Sequence, residues 1–168
     1  MRVGGGGNVG LAANVATVGT QTVVTLTFTN ANPAVIDQAS LLPGGTGAPS
    51  LADGRYQLTI GDGAVTSAAT GQALDGDGNG SAGGAFVSPP DTAGSGAGRF
   101  LGLYRLFGDA TGNGVVDLAD LAAFRGTFNQ TAPSAAYLAY LDADNSGTVD
   151  LADLSEFRSR FNQNLFTP

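Results

Sequence analysis

The hydrophobic positions of this chain recur with two different periods. In TVVTLTFTN, Thr22 to Asn30, Val24, Leu26 and Phe28 fall on one face and Thr25, Thr27 and Thr29 on the other, which is the alternation of a half-buried strand. In DGRYQLTI an Asp-Gly turn precedes Tyr56, Leu58 and Ile60 facing in, with Arg55, Gln57 and Thr59 facing out. NVATV, AVIDQASLL, GAVTSA and GAFVS are shorter strand candidates. Short strands with frequent turn signals predict a small antiparallel β-sandwich over residues 1–98, ending in a Pro/Gly/Ser hinge, SPPDTAGSGAG, at 88–98.

The second period is helical and lies in a second region, 99–168. RFLGLYRLF reads as a strand-like lead-in to it. Leu118, Leu121, Phe124 and Phe128 then recur at helical spacing, and Leu151, Leu154, Phe157 and Phe161 repeat the stripe. Both stripes are predicted to pack as core. PSAAYLAYL, with Ser134 as N-cap, predicts a short helix between them. The fold expected is therefore mixed, an N-terminal antiparallel sandwich followed by an all-α C-terminal module.

Each helix follows an acidic, glycine-turned loop. Aligning 109–130 with 142–163 gives 14 identities in 22 positions at an offset of 33, an internal duplication. In the first copy Asp109, Thr111 and Asn113 stand at positions 1, 3 and 5, Gly114 at 6 and Asp120 at 12; the second supplies Asp142, Asp144, Ser146, Gly147 and Asp153. Alternate side chains of a tightly wound loop converge on one point, and the sixth residue must turn sharply. That is the arrangement of a Ca²⁺ loop, in which six to eight oxygens surround the ion. Position 7 offers a backbone carbonyl (Val115, Thr148), position 9 (Asp117, Asp150) a carboxylate acting through water, and the position-8 valines, Val116 and Val149, a short β contact between the loops. Two ions are expected, the first loop being the weaker because it carries three aspartates against four. The bland alternative is a pair of solvated acidic turns. LDGDGNGSAGG places Asp75, Asp77 and Asn79 at positions 1, 3 and 5 as well, but Phe86 stands at position 12, so a simple Gly/Asp turn competes with a third ion there. VGGGGNVG has no lysine and no strand-to-helix context, and reads as a flexible lead-in rather than a phosphate loop.

Composition narrows the chemistry. Histidine and cysteine are absent, which excludes Ser-His-Asp and Cys-His machinery, His- or Cys-ligated zinc and disulfides, so a metal must be held by oxygen. The net charge is −7 and the seven basic residues are scattered arginines, so neither nucleic acid nor an anionic membrane surface is an expected partner. No run is long enough to span a bilayer, and MRVGGGGNVG lacks the apolar core of a signal peptide. The single glutamate, Glu156, beside Phe157, leaves no acid/base pair, so no catalysis within the chain and a monomer are expected.

Two resemblances follow from these motifs. SLADGRYQLTIGDGAVTSAATGQALDG resembles a strand and turn of bacterial immunoglobulin-like modules, although SAATGQ lacks the usual Asp and Asn; the implied sandwich would be short of one edge strand. Loop plus exiting helix, twice, with aspartate at position 12 and no full entering helix, resembles a type I dockerin over roughly 107–161, in the VDLADL and FR-x-x-F style of planctomycete exported proteins. That resemblance implies an extracellular or cell-surface tail that binds a cohesin-like or cell-surface protein. The implied contact positions are Leu118, Ala119, Arg125, Gly126 and Gln130, then Leu151, Ala152, Arg158, Ser159 and Gln163. Of the hydroxyl and basic residues usual there, the chain keeps only the arginine at position 17. A purely structural calcium-stabilised tail, and the non-catalytic end of a polysaccharide-degrading enzyme, are the alternatives.

Overall fold

The computed structural model describes residues 3, 7–19, 21–29, 32, 36–37, 50–89 and 102–166. Strands β1 (Leu11–Val18) and β2 (Gln21–Phe28) form an antiparallel hairpin in the register Leu11↔Phe28 to Val18↔Gln21. β3 (Ile36–Asp37) pairs with β4 (Ser50–Leu51), β5 (Gly54–Tyr56) with β8 (Leu103–Arg105), and β6 (Thr59–Ile60) with β7 (Phe86–Val87). Helices α1 (Leu118–Thr127) and α2 (Leu151–Arg160) complete the order.

The predicted sandwich does not form among the described residues. Its strands pair only two by two, so no pair of sheets exists to enclose a core. The physical cause lies between the strands. Residues 61–85 run through turns at Gly63, Gly71, Gly78, Gly80, Gly83 and Gly84, all at positive φ, where only isolated bridges survive. DGRYQLTI is not one strand but two, and it changes partner at Gln57–Leu58. Among the described residues of this part Tyr56 is the one buried large hydrophobic side chain, with Val9, Phe28 and Leu51 against it, while Val24 and Leu26 of β2 are half exposed. Of the AVIDQASLL candidate only Ile36–Asp37 is described, and 90–98 of the hinge lies outside the described residues.

The C-terminal region is not all-α either. It holds two ten-residue helices, the strand β8, bridges at Val115↔Asn164 and Thr131↔Thr148, and a 3₁₀ turn at Ala139–Leu141 where a third helix was expected. Ser134 does accept Ala136 N–H at 3.3 Å, as a cap would. Two tertiary contacts outcompete the helix: the Leu138 N–H donates to the buried Thr127 Oγ1 at 2.9 Å, and the Tyr137 hydroxyl donates to Asp142 at 2.6 Å.

The core is built symmetrically from the repeat. Val116 and Val149, Phe124 and Phe157 are all buried, joined by Leu106, Phe107, Leu141 and Ala143, with the two phenylalanine rings 5.0 Å apart. Leu118 and Leu151 are not part of it; each is 72% exposed. A three-residue step falls short of a full helical turn by about 60°, so the stripe has rotated by roughly a third of a circle between Leu118 and Phe124. The position-8 valines do not pair with each other. Instead Val116 exchanges backbone hydrogen bonds with Asn162 and Gln163, and Val149 with Asn129 and Gln130. The segment leaving each helix therefore pairs with the other repeat's loop.

One carboxylate ties the repeat to the strands before it. Asp53, in the turn leading into β5, accepts from Arg105 Nη1 on β8 and from Arg160 Nε at the end of α2, each at 2.5 Å, and from Phe107 N at 2.7 Å. Both guanidinium groups also stack near the Phe107 ring, and Arg160 further pairs with Glu156. All three partners of Asp53 are at least four-fifths shielded side chains or buried backbone. Asp53→Ala removes the acceptor shared by two shielded cations and a buried N–H, and is expected to cost about 3 kcal/mol. A urea denaturation series in excess calcium would measure it, and an unchanged midpoint would show that the tie contributes nothing.

Candidate metal centre

Each loop is wound around its first aspartate. In the second loop Asp142 Oδ1 accepts Ser146 N at 3.0 Å, and Oδ2 accepts Gly147 N at 2.8 Å. The first loop repeats this with Asp109, Asn113 N at 3.0 Å and Gly114 N at 2.8 Å. Gly114 and Gly147 have φ of 81° and 89°, the left-handed turn expected of position 6 and disfavoured for any other residue.

The twelfth position closes each loop from the helix side. Asp120 and Asp153 are completely buried. Asp153 accepts Ala143 N at 2.6 Å and Asp150 N at 2.7 Å, and Asp120 accepts Thr111 N at 2.9 Å and Asp117 N at 2.8 Å. One oxygen thus fastens the start of the loop and the other its end. The position-9 aspartates also begin the helices. Asp117 accepts Ala119 N at 2.7 Å and Asp150 accepts Ala152 N at 2.8 Å, so both are helix N-caps in reciprocal capping boxes with position 12.

Among the described residues, Asp142, Asp144 and Asp153 each bring a carboxylate oxygen within 4.8 Å of the other two, and this group can hold a metal ion. The all-oxygen donor set and the absence of imidazole and thiol suit a hard cation. Burial, reinforced by the charges of Asp142 and Asp144, raises the Asp153 carboxyl above its ordinary range against the pull of its two N–H donors. A bound cation would reverse that push. Of the other expected ligands in this loop, the Ser146 hydroxyl is turned onto the Thr148 carbonyl at 3.1 Å.

The first loop gathers fewer charges. Thr111 and Asn113 occupy positions 3 and 5, where the second loop has Asp144 and Ser146, and the Asn113 Oδ1 is spent on Val115 N at 2.8 Å. Asp109 and Asp120 are the carboxylates of its first and twelfth positions. The third acidic loop has the same backbone wrapping, with Asp75 accepting Asn79 N at 3.0 Å and Gly80 N at 2.8 Å. The Gly80 N–H leads the effects that hold the Asp75 carboxyl below its usual value, although the side chain is open to water. Asn79 binds Asp77 rather than pointing inward, and Phe86 lies in β7. No third carboxylate closes this loop among the described residues.

Two groups at the loops went unnoticed in the sequence. The Tyr104 hydroxyl donates to Asp109 Oδ2 at 2.8 Å and the Tyr137 hydroxyl to Asp142 Oδ2 at 2.6 Å. Burial first, then the carboxylate, pushes Tyr137 up to about 12 and shifts Tyr104 in the same direction. The signal was present: the tyrosines share the offset of 33 and each precedes its aspartate by five residues. Between the loops lies a cavity of about 590 Å³ onto which Tyr104, Arg105, Asp109, Tyr140 and Asp142 face.

The residues expected to meet a partner are largely at the surface. Leu118, Ala119, Arg125, Leu151, Ala152, Arg158 and Gln163 are exposed, and Gln130 is half-buried. Among the described residues no helix is long and apolar enough to cross a membrane. Compared with protein-family models, with curated proteins and with solved structures, the chain gives no match.

Proposed function

We propose that residues 107–163 are a calcium-binding, non-catalytic interaction module of dockerin type, in which two Ca²⁺ ions organise the loops and the exiting helices present a surface to a cohesin-like or cell-surface partner of an exported protein. The observation that carries the reading is the convergence of Asp142, Asp144 and Asp153 at a loop turned by Gly147. In the second loop those carboxylates would hold the ion; in the first, Asp109 and Asp120 would do so with Thr111, Asn113 and the Val115 carbonyl. The ion supplies charge compensation and cross-linking of the loop, while the protein supplies the helices that follow. Calcium fits better than magnesium, because the donors are numerous and sit on a pliable loop rather than a strict octahedron.

Calorimetric titration of the full chain tests this. Two calcium events are expected, the tighter at the second loop, with magnesium far weaker. A chain that evolves no heat with calcium would overturn the reading. A second reading, a calcium-stabilised structural tail without a cohesin-like partner, is favoured by one feature: Arg160 of α2 is spent on Asp53 of the preceding strands. Capture on immobilised cohesin modules separates the two. The interaction module requires calcium-dependent retention that Arg125→Ala with Arg158→Ala removes.

A further inference from the structure

We propose that Tyr104 and Tyr137 are positioning residues of the two metal loops, each holding the loop's first aspartate as a single-oxygen ligand. The inference rests on the calcium reading and adds to it how each ion is gripped.

The argument is one of lone pairs. A carboxylate oxygen has about two acceptor positions. Asp142 Oδ2 fills both, with the Tyr137 hydroxyl at 2.6 Å and Gly147 N at 2.8 Å. Asp142 Oδ1 accepts one short bond, Ser146 N at 3.0 Å, so one position on that oxygen is left for a cation. Asp109 repeats the pattern, with Tyr104 and Gly114 on Oδ2 at 2.8 Å each and Asn113 N on Oδ1 at 3.0 Å; the Thr111 hydroxyl, at 3.5 Å, is marginal. Two-oxygen coordination by the first aspartate is closed off while the phenol is in place.

The phenols come from outside the loops and are themselves held. Tyr104 stands on β8, and its ring meets Phe166 edge-on at 5.4 Å. Tyr137 is partly buried against the core. The same contact on the same oxygen occurs twice, 33 residues apart, in two loops whose other ligands differ. Groups that orient a metal ligand in this way are worth about tenfold or more in affinity.

Calcium titration of the full-length Tyr104→Phe and Tyr137→Phe chains provides the test. Phenylalanine keeps the ring and removes only the hydroxyl. Each change is expected to weaken calcium about tenfold at its own loop and to leave the other loop unchanged. Tyr140→Phe, at an exposed tyrosine, serves as the control and is expected to bind as the parent does. Terbium is the second probe, because a phenol touching a ligand sensitises its emission under tyrosine excitation. Tyr137→Phe is expected to remove most of the second loop's sensitised signal. Lower urea resistance with unchanged calcium affinity would mark the hydroxyls as structural only and overturn the proposal, as would tighter binding. A parent chain that binds no calcium would overturn the metal reading itself and this inference with it.

Discussion

Chelation of calcium by EDTA is expected to abolish both helices while leaving the β1–β2 hairpin in place. Asp142, Asp144 and Asp153 hold oxygens within 4.8 Å of one another. At an effective dielectric constant of about 20, two unit charges at that separation repel by roughly 3 kcal/mol or more, and three such pairs approach the whole stability of a small domain. Their N–H donors relieve part of this repulsion, and a divalent cation converts the remainder into attraction. The helices cannot simply survive the loops, since Asp150 and Asp153 are at once loop residues and the capping box of α2. Because a metal-bound loop is far more ordered than a metal-free one, binding free energy appears here as folding free energy. Phe107 and Leu106 lie in the core of the repeat and also follow β8, so the β5–β8 pair is expected to loosen with it. The hairpin contributes no residue to that core. Circular dichroism with EDTA, then with calcium restored, reads the change. A spectrum and melting curve indifferent to EDTA would remove the case for structural calcium.

Asp153→Ala is expected to cost about 4 kcal/mol and to delete the second loop's ion. The side chain is wholly buried and satisfies Ala143 N and Asp150 N, each of which would be left without an acceptor at about 1–3 kcal/mol. The bond from Asp150 N is also this side chain's half of the capping box, so its loss opens the start of α2. Asp150→Ala, which removes the cap to Ala152 and the other half of the capping box but strands no buried N–H of the loop, is the milder comparison at about 1 kcal/mol. Urea denaturation in excess calcium gives the stability difference, and calorimetry gives the number of ions. A chain with Asp153→Ala that still takes up two ions would show that position 12 is a staple and not a ligand.

What the sequence made legible was local. The offset of 33, the positive-φ glycines at position 6 and the two helices all depend on residues within one loop and its next turn. What it hid was the identity of partners. Alternation in β2 marks a strand but not what covers it, and here Val24 and Leu26 stay half exposed. The run DGRYQLTI could not disclose that it changes partner midway, because both partners lie more than 25 residues downstream. The aspartates of position 9 were read for their charge; an aspartate one residue before a helix is also an N-cap, and both side chains cap their helices. Asp53 reads in the sequence only as the first residue of an Asp-Gly turn; the fold alone brings Arg105 and Arg160 to it.

The crossed pairing after each helix limits how the duplicated part can be divided. Asn129 and Gln130 reach across to Val149, and Asn162 and Gln163 reach back to Val116. A fragment cut between the repeats would possess a loop without its partner segment and a segment without its loop. Both halves offer the same complementary pair of surfaces, so the fragment's natural mate is another copy of itself, joined about a two-fold axis. The chain encloses within one molecule an assembly that half of it would otherwise have to form as a dimer.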